Sequence, residues 1–171
     1  MTSLVLIGPM GAGKTSIGRK LAKRLGLPFT DTDAVIVRDH GPIDRIFADH
    51  GEARFRTLER DAVLAALDEG GVVALGGGAI LEPVTRVALL DHRVVLLTVS
   101  GDTIASRLRS TARPLLQGED PVARWHAIHE ARRALYEQTA DVTFDTSAGP
   151  LQDVVDAVAR WATTATPEER P

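Results

Sequence analysis

Residues 4–15 read Leu-Val-Leu-Ile-Gly-Pro-Met-Gly-Ala-Gly-Lys-Thr, an apolar run followed by a glycine-rich segment. A short, unbroken apolar run is typical of a strand that is buried on both faces of a sheet. From residue 8 the sequence fits G-x-x-x-x-G-K-[ST], the pattern of a phosphate-binding loop between a strand and a helix. This stretch therefore predicts an α/β protein that binds a nucleoside triphosphate.

The residue types in this loop suit phosphate binding. Glycines let successive backbone N–H groups turn toward one anion, and the helix that starts near Lys14 adds its positive end. We expect Lys14 to reach the β- and γ-phosphates and the Thr15 hydroxyl to bind Mg²⁺ directly. A glycine-rich turn with an incidental lysine is the disfavoured alternative. The residues expected to contact ATP here are Gly11, Ala12, Gly13, Lys14, Thr15 and Ser16.

Composition excludes several classes of protein. The chain has 171 residues, no Cys and a net charge of −3. Its length suits one domain, and the absence of Cys excludes a disulfide scaffold, a thiolate metal site and a cysteine nucleophile. The negative charge argues against nucleic-acid binding. No apolar run approaches the ~20 residues of a membrane span, and residues 1–3 lack the basic segment of a signal peptide. We expect a cytoplasmic protein that binds neither nucleic acid nor membrane.

Apolar runs of strand length alternate with segments of helical periodicity. Such alternation predicts β-α-β units, so we expect a five-stranded parallel sheet flanked by helices, in a single domain over residues 1–165. Residues 166–171 are predicted to be a disordered tail. The predicted strands cover 4–7, 27–30, 72–75, 94–99 and 142–144, and the predicted helices 14–25, 35–49, 52–67, 83–90, 103–109, 121–139 and 151–162.

A phosphate loop occurs in ATPases, GTPases and small-molecule kinases. The chain is too short for an additional motor or effector domain, and it contains no Asn, so it cannot carry the N-K-x-D motif that binds guanine. These observations favour a small kinase.

Two carboxylates follow the second predicted strand, at Asp31 and Asp33. Ligands of open α/β sheets bind at the carboxyl ends of strands, so both should face the phosphate loop. One can hold a metal ion through water, and the other can orient or deprotonate an attacking hydroxyl. Asp is also a favoured N-cap for the helix expected near Ala34, and the two roles are compatible.

Further motifs follow in a fixed order: FRTLE at 55–59, GGG at 76–78, RPLL at 113–116 and RRALY at 132–136. Together with the phosphate loop and residues 31–33, they make the chain resemble the shikimate kinase family from about residue 4 to about 158. Two departures are mild. Ala134 stands where the family often has Pro, and Thr15 replaces the common Ser but keeps the hydroxyl.

The resemblance implies a monomer with a nucleoside-monophosphate-kinase-like fold, a substrate-binding segment at about 31–60 and a lid at about 109–121. ATP would phosphorylate the 3-hydroxyl of shikimate with Mg²⁺ as cofactor. Thr15 would hold the metal directly and Asp31 through water. The implied catalytic residues are Lys14, Asp33 and Arg113; Arg107 and Arg113 would also contact ATP, and Asp33, Arg56, Gly76, Gly77, Gly78 and Arg132 would bind shikimate.

Several of these residues also allow a purely structural interpretation. Arg56 could pair with Glu52 on a solvated helix face, and Arg133 is as basic as its neighbour Arg132. The glycine run could be a tight turn, although three glycines after an apolar strand suggest close contact with a ligand. Arg107 could be a solvated arginine at a helix end.

Two histidines at 126 and 129 have no third partner at metal-ligand spacing, so we expect them on a solvated helix face. Two other functions remain open at this point. One is a kinase of another small polyol such as gluconate, and the other is a nucleotide-binding regulatory module without catalysis.

Overall fold

The computed structural model describes residues 2–108 and 120–164. Its strands are β1 (Leu4–Ile7), β2 (Phe29–Asp31), β3 (Val72–Ala74), β4 (Arg93–Thr98) and β5 (Val142–Asp145). The helices of this part of the chain are α1 (Lys14–Leu25), α2 (Thr32–His40), α3 (Ile43–Glu69), α4 (Pro83–Leu89), α5 (Gly101–Leu108), α6 (Pro121–Thr139) and α7 (Leu151–Thr164), with a 3₁₀ turn at Ala79–Leu81.

The five strands form one parallel sheet in the order β2-β3-β1-β4-β5. Alternate residues of β1 face two different cores: Leu4 and Leu6 pack with α1 and α7, whereas Val5 and Ile7 pack with α3 and the 3₁₀ turn. This confirms the predicted parallel sheet with helices on both faces. It also explains why the central strand is apolar at every position.

Some predicted boundaries are wrong. The helix predicted at 35–49 is two helices, because α2 begins at Thr32 and the chain turns at Gly41, where φ is +87°. α3 begins at Ile43, and the non-helical dihedral angles of Gly51 divide it into two helices, which confirms the break predicted between residues 49 and 52. Apolar periodicity continues across Gly41, so it does not show where α2 stops.

The carboxyl ends of β1, β3 and β2 lie side by side at one edge of the sheet. β1 leads into the phosphate loop, β3 into the glycine run at 76–78, and β2 into Asp31 and α2. Within residues 2–108 and 120–164, no helix combines the length and hydropathy needed to cross a bilayer. The predicted tail, Arg113 and nearly all of the predicted lid lie outside the described residues.

Candidate active site

The phosphate loop joins β1 to α1 in a conformation that depends on its glycines. Gly11 and Gly13 have φ values of +82° and +92°, which side chains with a Cβ rarely adopt. The Lys14 ammonium donates to the carbonyls of Gly8 at 2.6 Å and Pro9 at 3.0 Å. The amino group therefore lies over the loop, at the amino end of α1, where anions are favoured.

Asp31 links the phosphate loop to α2. Its Oδ2 accepts a hydrogen bond from the Thr15 hydroxyl at 2.5 Å, and its Oδ1 accepts from the Ala34 N–H at 3.1 Å. The carboxylate is thus the N-cap of α2 and also touches the loop, so the two predicted roles are compatible in this geometry.

The donor atoms beside the loop suit Mg²⁺. A hydroxyl oxygen and a carboxylate oxygen lie together there, and Mg²⁺ is usually held by one or two protein oxygens together with waters and phosphates. Within the described ranges, no group of three or more His, Asp and Glu side chains forms an all-protein metal site. The residues present therefore fit a metal ion that is shared with a bound nucleotide.

Two acidic side chains converge on Gly76, the first residue of the glycine run. A Cβ at this position would lie 2.6 Å from Asp33 Oδ1 and 2.9 Å from Glu59 Oε2. The same glycine donates its N–H to the buried Thr32 hydroxyl at 3.3 Å. Glycine is therefore required at position 76 for α2 and α3 to bring their carboxylates to the end of β3.

Arg56 is a largely buried guanidinium of α3. It donates to Glu59 at 2.8 Å and to Glu52 at 3.2 Å, and its side chain is only 15% exposed. The predicted pair with Glu52 is therefore present, but not on a solvated face. The guanidinium lies directly against Gly78, where a Cβ would overlap it.

Burial raises the pKa of the Glu59 carboxyl, and the nearby Asp33 adds to this, whereas the charges of Arg56 and Arg132 oppose it. Burial alone would lower the pKa of Arg56, but its ion pair with Glu59 leaves that pKa raised. Arg56 therefore remains a cation beside the glycine run.

α6 orients its two adjacent arginines differently. Arg132 is 7% exposed and lies against Gly77, whereas Arg133 has a side chain 57% exposed and pairs with Glu130 at 3.1 Å. One helical turn after Arg132, the Tyr136 hydroxyl donates to the Gly77 carbonyl at 2.5 Å. The structure thus places Arg132 toward the glycine run and Arg133 toward solvent, a difference that their residue type alone does not indicate.

Arg107, on α5, connects the phosphate loop to the end of β5. Its guanidinium donates to the carbonyls of Gly11 at 2.6 Å and Thr146 at 2.7 Å. The Thr146 hydroxyl in turn donates to the Ala12 carbonyl at 2.8 Å. Arg107 is therefore not a solvated helix-terminal residue.

The predicted solvated position is wrong for His129. Its ring stacks on Trp125 with centroids 5.0 Å apart and also faces Tyr136, and burial lowers its pKa. Trp125 donates its indole N–H to the Met10 carbonyl at 2.7 Å. Sequence reasoning assigned no function to Trp125 or Tyr136, because their partners are backbone carbonyls distant in sequence.

A cleft of about 330 Å³ opens between the phosphate loop and the glycine run. Arg56, Gly78 and Arg132 lie beside it, and Ala12 is buried beneath the loop. Within the described part of the chain, every predicted site residue lines this cleft or lies next to it, and Arg113 is outside that part. Those that line the cleft are Gly11, Gly13, Lys14, Thr15, Ser16, Asp31, Asp33, Gly76, Gly77 and Arg107.

A phosphate loop on a five-stranded parallel sheet, with carboxylates at the end of β2 and arginines of α3 and α6 beside the glycine run, defines an ATP-dependent small-molecule kinase. The shikimate kinase family model matches residues 10–163. The chain belongs to the shikimate kinase family.

Individual relatives agree with this assignment. The chain is 46% identical to the shikimate kinase of Streptomyces coelicolor over 90% of this chain and 91% of that protein. It is similar in structure to the shikimate kinase of Acinetobacter baumannii in complex with shikimate, with a TM-score of 0.90, 35% identity and coverage of 96% and 94%. A gluconokinase from Sinorhizobium meliloti has a TM-score of 0.58 at 19% identity, with coverage of 96% and 98%, and shares the fold alone.

Proposed function

We propose that this chain transfers the γ-phosphoryl group of ATP to the 3-hydroxyl of shikimate, giving ADP and shikimate 3-phosphate. One observation carries the proposal: two buried guanidiniums, those of Arg56 and Arg132, flank a glycine run that adjoins the phosphate loop. Such a site suits an anionic acceptor, and family membership identifies shikimate, a hydroxylated carboxylate.

On the acceptor side, Arg56 and Arg132 bind the carboxylate of shikimate. Guanidiniums make short, charge-assisted hydrogen bonds to carboxylates, and partial burial strengthens them because water competes less. Asp33 lies between these arginines and the phosphate loop, so it orients the 3-hydroxyl and accepts its proton during transfer.

On the nucleotide side, the loop N–H groups and Lys14 hold the phosphates of ATP. Lys14 already lies over the loop through its two carbonyl contacts, so its amino group needs little reorganisation to reach the β- and γ-phosphates. Thr15 and Asp31 would hold Mg²⁺, the former directly and the latter through water. The metal would neutralise charge on the phosphates.

Two further arginines complete the proposal. Arg107 lies between the phosphate loop and Thr146, and we assign it to the adenine end of ATP. From the motif at 113–116, we assign Arg113 the role of stabilising the charge on the transferring phosphoryl group. The segment at 109–121 is proposed to act as a lid that excludes water. We propose that the chain acts as a cytoplasmic monomer. Light scattering of the purified protein would measure its molar mass and so test whether it is a monomer.

The decisive experiment measures ADP release from ATP with shikimate, quinate or gluconate as the acceptor, each with and without Mg²⁺. We expect Mg²⁺-dependent turnover that is fastest with shikimate, and phosphorus NMR should identify the product as the 3-phosphate. Faster turnover with gluconate than with shikimate would contradict the proposal and favour a kinase of another small polyol. ATP binding without turnover on any acceptor would favour a regulatory module.

A further inference from the structure

α6 makes a hydrogen bond to each of the two loops that border the cleft. Near its start, Trp125 donates to the Met10 carbonyl of the phosphate loop; near its end, Tyr136 donates to the Gly77 carbonyl of the glycine run. Both side chains are at most 2% exposed. Because the bonds go to different loops, the loss of one should affect one substrate more than the other.

The bond from Tyr136 fixes a backbone that has little rigidity of its own. Glycine peptides rotate freely, and three occur in succession at 76–78. The first is held by the Thr32 hydroxyl and by the Ala79 N–H, which donates to its carbonyl; the last packs on Arg56, and its carbonyl accepts from the Leu81 N–H. At the middle residue, the short bond from Tyr136 to the Gly77 carbonyl fixes the peptide plane.

The same bond also orients backbone and side-chain groups that face the acceptor. A trans peptide points its C=O and N–H in opposite directions, so a Gly77 carbonyl held toward α6 turns the Gly78 N–H away from that helix. Arg132 lies one turn before Tyr136, shares a side-chain hydrogen bond with its hydroxyl and packs on the same glycine. Tyr136 therefore fixes the glycine backbone and Arg132 relative to each other.

We propose that Tyr136 is a positioning residue for the acceptor, acting through the Gly77 carbonyl, and that it sets shikimate affinity without touching ATP. The inference rests on the proposed function, because it takes shikimate as the acceptor. Its physical basis is that a buried carbonyl without its donor is costly, so the peptide would rotate to find another partner.

The experiment compares wild type with Tyr136→Phe and the matched control Thr139→Val. Phenylalanine keeps the ring that faces His129 and removes only the hydroxyl. Thr139 lies on the same helix and donates at 2.6 Å to the Leu135 carbonyl, so its loss weakens α6 without touching the glycine run. The measurements are KM for each substrate, kcat, the Kd of shikimate without nucleotide, and Tm.

We expect Tyr136→Phe to raise both KM and Kd for shikimate about tenfold, with KM for ATP within twofold of wild type. Thr139→Val should leave both KM values within twofold. An unchanged shikimate KM in Tyr136→Phe, an equal rise for both substrates, or the same rise in Thr139→Val would overturn the inference. A wild type without shikimate-dependent ADP release overturns the proposed function, and this inference with it.

Discussion

The nucleotide side and the acceptor side of the cleft are built in different ways. The nucleotide side consists mainly of consecutive residues, 8–16, whose backbone groups and one lysine converge through a single strand, loop and helix. The acceptor side takes side chains from α2, α3 and α6 and a backbone segment after β3. A local site is specified by its own sequence, whereas a dispersed site depends on packing between helices.

The largest effect is expected on the nucleotide side. Lys14→Ala should abolish phosphoryl transfer, because the ammonium donates to two carbonyls of the loop and would contact the phosphates proposed to bind there. ADP release measures the activity, and Tm should stay close to that of wild type. Lys20→Ala, an exposed lysine on the same helix, is the matched control and should be fully active. Activity of Lys14→Ala within threefold of wild type would contradict the loop assignment.

A second change tests whether transfer depends on Arg113, which lies outside the described part of the chain. Arg113→Ala should lower kcat by roughly 10³-fold, the effect expected for an arginine that stabilises a transferring phosphoryl group. Steady-state kinetics give kcat, and calorimetry gives the Kd of shikimate, which should barely change. A variant that loses only shikimate affinity would move Arg113 to the acceptor side.

A third change tests the acceptor side with neighbouring arginines. Arg132→Ala should raise KM for shikimate roughly 10- to 100-fold, because it removes a charge-assisted hydrogen bond worth about 1.5–3 kcal/mol. Arg133→Ala removes the exposed neighbour and should change KM less than twofold. KM for ATP should be the same in both variants as in wild type. If the two substitutions raised KM for shikimate equally, the inward position of Arg132 would have no role in binding shikimate.

The smallest effect concerns the buried carboxyl of the acceptor side. Burial raises the pKa of Glu59 above 4.5, so the folded protein holds this proton more tightly than the unfolded chain. The stability that this group contributes is present below pH 4.5 and is lost as pH rises through the folded-state pKa. Glu59→Gln has no such proton. The difference in free energy of unfolding, variant minus wild type, should therefore increase as pH rises.

Urea unfolding of wild type and Glu59→Gln between about pH 4 and pH 8 measures this difference. Glu52→Gln, which removes the exposed carboxylate beside the same guanidinium, is the matched control variant. A difference in free energy of unfolding, Glu59→Gln minus wild type, that falls as pH rises would contradict the direction of the pKa shift.

The contrast between the two sides also explains what the sequence could predict. The phosphate loop follows from a contiguous motif whose flanking strand and helix are both confirmed. The family resemblance assigned Arg132 to the acceptor, but residue type alone did not separate it from Arg133, because that depends on which face of α6 packs on the glycine run. The bond of Tyr136 to Gly77 was also missed, since any buried tyrosine fits the same sequence pattern.

The helix boundaries teach a related point. A single apolar periodicity runs through 35–49, yet α2 begins three residues earlier, at Thr32, and Gly41 ends it. The capping bond is local, from the Ala34 N–H to Asp31 Oδ1, so the aspartate named as a candidate cap marks the start of this helix. Apolar periodicity alone places the start of the segment that carries Asp33 too late.

The central position of β1 has a consequence for synthesis of the chain on the ribosome. β1 leaves the ribosome first, but its neighbours β3 and β4 lie at 72–74 and 93–98. Pairings so distant in sequence form slowly, because a long loop must close before they stabilise anything. The phosphate loop therefore gains its final shape late in translation. Until residue 98 has emerged, at least one edge of this apolar strand is unpaired, which makes the nascent chain a target for chaperones.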